Sequence, residues 1–174
     1  VKVINTKLKT NMSYFKKIST GENLHLQSSG FLTLVKESDV SAFVARTGQR
    51  SPKIQEMYDK MRQDNPTDFE DTTESDWTTL KSAILGDLTD YVAPSTTYYQ
   101  SPLTNFVYCW NEELNRASVL SSTDQQTIAF MIYTDAHATT EIENRLKEVS
   151  TYTAITESDW LARKAAVLEI IQGF

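Results

Sequence analysis

The stretch Leu103-Thr104-Asn105-Phe106-Val107-Tyr108-Cys109-Trp110-Asn111-Glu112-Glu113-Leu114-Asn115-Arg116-Ala117-Ser118-Val119-Leu120-Ser121 decides what kind of protein this is. It carries two periods at once. Phe106 to Trp110 is an aromatic and β-branched run of high strand propensity. Leu103, Phe106, Val107, Trp110, Leu114 and Ala117 instead recur at helical spacing over roughly four turns. The longer pattern favours a helix, which makes the chain mainly α. Strands within 103–134, giving an α+β protein, are the alternative.

Downstream, the signals are those of helix starts. Thr123-Asp124-Gln125-Gln126 forms a capping box ahead of Ile128, Met131 and Ile132, and Thr140 with Glu143 forms another ahead of Leu146 and Val149. Thr156 with Asp159 opens a last helix, whose apolar face is Trp160, Leu161, Ala165, Leu168 and Ile171, and Gly173 ends it. Upstream, Ser38-Asp39 caps a helix carrying Val40, Phe43 and Val44, which Gly48 ends. Ser51-Pro52 starts one with Ile54, Met57, Tyr58 and Met61 on its buried side, and Asn65-Pro66 stops it. A further helix carries Trp77, Leu80, Ile84, Leu85 and Leu88.

Only 23–35 reads as β: Asn23 to Gln27, a turn at Ser28-Ser29-Gly30, then Phe31 to Val35. The expected architecture is a compact bundle of about six or seven short helices with this N-terminal hairpin. A basic arm over 1–22 precedes a single mainly helical domain over 23–174.

Thr73-Glu74-Ser75-Asp76-Trp77 recurs as Thr156-Glu157-Ser158-Asp159-Trp160, and Lys81/Lys164, Ala83/Ala166 and Leu85/Leu168 extend the match. A hydroxyl caps the helix, acids sit on the positive end of its dipole, and a large apolar residue enters the core at once. The flanks do not match at the same offset, so the reading is a reused helix-starting device rather than a repeat architecture. A functional alternative has both tryptophans framing one binding groove. These openers resemble those of small head-completion and head–tail adaptor proteins of tailed bacteriophages, with Thr33 to Phe43 a looser echo. The resemblance covers about a quarter of the chain and implies a ring-forming virion component.

Composition narrows the class. Hydrophobic residues are 40% and charged residues 23% of 174, which suits a globular chain with a proper core. A single cysteine permits no internal disulfide, no apolar run is long enough to cross a bilayer, and no secretory leader is evident. The expected location is therefore cytoplasm or virion, neither secreted nor membrane-spanning. The net charge of −6 argues against direct nucleic-acid tracking. The basic N-terminal stretch, with Lys7, Lys9, Lys16 and Lys17, is a candidate contact for an acidic protein partner.

No residue set announces chemistry. His137, with Asp135 and Glu141 near it, lacks the further ligands of a zinc site. Cys109 has no local base, and the five isolated glycines build no phosphate loop. The acids between Asp64 and Asp76 lack the turn glycine of a calcium loop. The expectation is no catalytic residue, no cofactor and no metal.

Tyr98 and Tyr99, in a polar loop between Pro94 and Pro102, are the candidate partner contacts. The functional expectation is a non-enzymatic structural or interaction protein, homo-oligomeric or part of a larger assembly, with a virion connector as the specific form. The alternatives are a small acidic inhibitor that occupies a basic groove, and an enzyme using carboxylates alone.

Overall fold

Val107–Trp110 obeys its strand propensity, and the helical pattern across it does not form. In the computed structural model the described residues are 14–27, 30–47, 52–93, 97–111, 113–124, 126–134, 138, 140, 144 and 152–174. They contain ten strands in one antiparallel sheet and three helices with defined bounds. The expected bundle of six or seven helices is thus corrected to a large β-sheet carrying helices.

The first part of the chain gives β1 (Tyr14–Lys17), β2 (Asn23–Gln27), β3 (Gly30–Lys36), β4 (Val40–Thr47), α1 (Pro52–Asp64), β5 (Phe69–Asp71) and α2 (Glu74–Asp90). The second gives β6 (Thr97–Gln100), β7 (Val107–Asn111), β8 (Arg116–Leu120), β9 (Thr127–Thr134), β10 (Thr153–Ala154) and α3 (Glu157–Gln172). Across the sheet the order is β10-β6-β7-β8-β9-β4-β3-β2-β1-β5.

Three expected helices are strands or parts of strands. Residues 40–47 are β4, 103–121 contain β7 and β8, and 127–134 are β9. The physical reason is burial on both faces. β7 and β8 are buried at nearly every position, so no polar alternation marks them as strands. The expected hairpin at 23–35 is β2 and β3, and the helices at 52–64, 74–90 and 157–172 lie where their start signals place them. The helix expected after Thr140 lies mostly outside the described residues, although Ala138, Thr140 and Asn144 are helical. Residues 14–22 of the expected arm form β1 and its turn, while residues 1–13 lie outside the described set.

The sheet order is a palindrome of the two parts of the chain. Each part is a four-stranded meander, then an edge strand that returns to pair with the meander's first strand, then a capped helix. The registers match as well. Tyr14 faces His25, His25 faces Leu32 and Leu32 faces Ala45; correspondingly Tyr98 faces Cys109, Cys109 faces Ser118 and Ser118 faces Ile132. The amide of Thr72 donates to the Tyr14 carbonyl at 3.2 Å, and that of Ile155 to the Tyr98 carbonyl at 3.0 Å.

Matching residues are therefore Tyr14/Tyr98, Leu34/Leu120, Phe43/Phe130 and Trp77/Trp160. Their spacing drifts from 84 to 86 to 87 and returns to 83. That drift, taken up in the turns, is why the sequence flanks fail to align at one offset. The repeat architecture set aside from the sequence is present in the fold. Phe43 and Phe130 are matching residues that also lie directly opposite each other across β4 and β9. They mark a pseudo-two-fold axis through the middle of the sheet, and both are fully buried.

One face of the sheet carries α2 and α3 over a continuous core that includes Leu34, Phe43, Ile84, Phe130, Trp160 and Val167. On the other face, Phe15, Leu24 and Leu26 gather with Tyr58 of α1, while Tyr108, Ala117 and Val119 gather with Ala138. Each fully buried large side chain here contributes on the order of 1.5–3 kcal/mol. The sheet ends at β5 and β10, of three and two residues, which leaves little open edge for other strands to template on.

Candidate functional site

The symmetry places one constellation of side chains in each half. In the first, Trp77 of α2 packs on Tyr14 at 6.0 Å and on His25 at 5.3 Å, and Tyr14 and His25 stack at 4.1 Å. In the second, Trp160 of α3 packs on Tyr98 at 6.0 Å, beside Cys109. Glu74 and Glu157 occupy the first helical position of α2 and α3, and Lys81 and Lys164 stand two turns further on. Tyrosine, glutamate, tryptophan and lysine are thus common to both halves, and histidine is exchanged for cysteine.

The local reason is the capping box. Thr73 accepts from the Asp76 amide at 3.1 Å, and Thr156 from the Asp159 amide at 3.2 Å. Each box fixes its helix so that the next residue, a tryptophan, drops onto the first strand of its half. Trp77 is nearly buried and Trp160 fully so. Each tryptophan closes over its own half, and the idea that the two frame a shared groove is corrected accordingly.

The electrostatics of the two clusters differ. Burial lowers the pKa of His25 below its ordinary value, Lys81 lowers it further and Glu74 opposes both. Burial pushes the Cys109 thiol up to about 12, so at neutral pH it is a protonated thiol rather than a nucleophile. Around it the Tyr91, Tyr98 and Ser118 hydroxyls and the Trp160 indole N–H are buried, with the Ser118 hydroxyl against both the Tyr91 phenol and the Cys109 thiol.

Three of the six acids between Asp64 and Asp76 have structural employment. Asp68 accepts from the Ser19 amide at 2.7 Å, Asp71 pairs with Arg62, and Asp76 closes its box. Lys164 donates to the carbonyls of Thr89 and Tyr91 at 3.2 and 2.5 Å, tying the end of α2 to α3. No group of three or more metal-ligating side chains occurs among the described residues. No helix among them is long and apolar enough to cross a membrane.

The candidate contacts from the sequence are dispersed. Tyr98 is buried against Trp160, and Tyr99 is half-buried on Tyr152 at 6.4 Å, so the two candidate contacts lie in β6 rather than in a loop. Lys16 and Lys17 lie half-buried in β1, where Lys16 faces Glu70 across the ladder. Lys7, Lys9 and His137 lie outside the described residues.

The sequence reading missed a cleft of about 500 Å³ beside α3. Val107, Ile155, Ala162 and Ala166 form its apolar wall, while Gln100, Thr123, Asp159 and Arg163 supply the polar groups. The Arg163 guanidinium is held by the carbonyls of Asn105 at 2.9 Å and Ser121 at 3.1 Å. The one signal available was the exchange of Leu80 for Arg163 within the repeated helix pattern. Comparison with protein-family models, curated proteins and solved structures finds no match.

Proposed function

We propose that the chain is a non-enzymatic interaction or assembly protein, with a virion connector or adaptor of tailed bacteriophages as its specific form. The observation that carries this reading is the commitment of ionisable side chains to the architecture. Asp76 and Asp159 cap, Lys164 ties α2 to α3, Asp87 pairs with Lys36 at 2.8 Å, and Cys109 is held as an inert thiol. Exposed apolar side chains at connections, Leu103 at 78% and Val92 at 86%, suit a protein contact. The specific form draws support from the two Thr-acid-aromatic helix openers alone.

Sedimentation velocity of the purified chain over a hundredfold concentration range tests the proposal. Association that grows with concentration, and that Leu103→Glu weakens, is the expected result. A strict monomer throughout the range overturns it.

A further inference from the structure

The two halves share one scaffold, so each serves as the control for the other, and they differ most beside the start of the capped helix. In the second half the cleft wall is Val107, Ile155, Ala162 and Ala166; the matching residues of the first half are Asn23, Thr72, Thr79 and Ala83, the first three polar. Conversely, Arg163 in the second half replaces Leu80, which packs against the main core. Polarity is inverted at four matching positions. Helix capping is the same in both halves, and core packing accounts for Val107 and Ile155, which also join the main core; it does not account for Arg163 on the cleft.

Arg163 and Asp159 are one helical turn apart on α3, a spacing at which opposite charges ordinarily pair. They do not pair here. The ion pairs among the described residues are Lys36–Asp87 and Arg62–Asp71. Asp159 is turned to Thr156, accepting from its amide at 3.0 Å and its hydroxyl at 2.7 Å. Arg163 is turned to the two turn carbonyls, which hold one guanidinium nitrogen and fix the plane of the group. The result is a positive and a negative group, each fixed by its own neutral partners, on one cleft with an apolar wall.

We propose that this cleft binds a small zwitterion bearing an apolar substituent, of the α-amino-acid class. The ligand carboxylate meets Arg163, its ammonium meets Asp159, and its side chain lies on Val107, Ile155, Ala162 and Ala166. A guanidinium already fixed by protein carbonyls loses little freedom on binding, which favours a planar carboxylate as the anion. A volume of about 500 Å³ falls within the range of small-molecule sites. The site is independent of the assembly proposal, because sedimentation tests that and ligand titration tests this.

The test is calorimetric and NMR titration of the whole chain at neutral pH with L-leucine, L-phenylalanine, N-acetyl-L-leucine and L-leucinamide. Saturable binding of at least one free amino acid is expected, weakened at least about tenfold when either charge is removed. Arg163→Leu, which installs the side chain of the first half, is expected to abolish binding. Ala166→Leu keeps both charges and fills the wall, and it too is expected to abolish binding, with thermal unfolding confirming that both variants fold. The proposal is overturned by no saturation with either amino acid, by equal binding of the blocked analogues, or by wild-type binding in both variants.

Discussion

Thr73 and Thr156 show how much one side chain can decide. Each accepts from an amide of the first helical turn, while the aspartate three residues on reaches back to the threonine's own amide. Replacing either by alanine is expected to cost about 1 kcal/mol, read from urea denaturation. Truncating Trp160 to alanine should cost roughly 3–5 kcal/mol, because the side chain is fully buried on Tyr98.

His25 adds a pH dependence whose sign is fixed. Its folded pKa lies below the ordinary 6.5, chiefly because burial disfavours the cation. Its contribution is therefore whole above pH 6.5 and is lost as the pH falls below that value, where the unfolded chain takes the proton first. Denaturation between pH 7.5 and 5 should show this loss, and His25→Gln should remove it; an unchanged profile in the variant would refute the assignment. The capping residues were plain in the sequence because their work is local. The role of His25 was not, since Trp77 and Lys81 reach it from a helix some fifty residues away.

Helices and strands were not equally legible. α1, α2 and α3 announce themselves through a proline start or a capping box and keep their expected positions. β4, β7, β8 and β9 do not, because helices and aromatic clusters cover both faces of the sheet. Ala42, Phe43 and Ala45 of β4 are all buried, so consecutive apolar residues imitate a helix stripe. The Thr123–Gln126 motif has the composition of a capping box yet stands before a strand, showing that cap chemistry needs a compatible period behind it. The cleft was hidden because Val107, from a segment that imitates a helix, and Ile155 reach it from outside α3.

At this scale the testable link is Lys164. It satisfies carbonyls at the end of α2, where the last turn has no basic residue of its own. Lys164→Met should lower stability by roughly 1–2 kcal/mol and speed amide exchange in the last turn of α2.

The molecule as a whole is one sheet with one principal core, although the design is written twice. The main cluster takes side chains from α2, α3 and strands of both halves, so the halves cannot unfold separately. Calorimetry should record a single cooperative transition; two resolved transitions would contradict the shared core. Phe43→Ala and Phe130→Ala, at matching positions on the axis, should each cost about 3–5 kcal/mol and agree to within roughly 1 kcal/mol.

The pairing at that axis also bears on misassembly. β4 and β9 share Ala42/Ala129, Phe43/Phe130 and Thr47/Thr134 at matching positions. To a folding half, β4 of a neighbouring molecule therefore looks much like its own β9, with the same phenylalanine facing phenylalanine. Refolding from denaturant at high protein concentration should divert part of the chain into exchanged dimers, in which halves from different molecules complete one sheet. Their yield should rise with concentration, whereas dilution returns the monomeric fold.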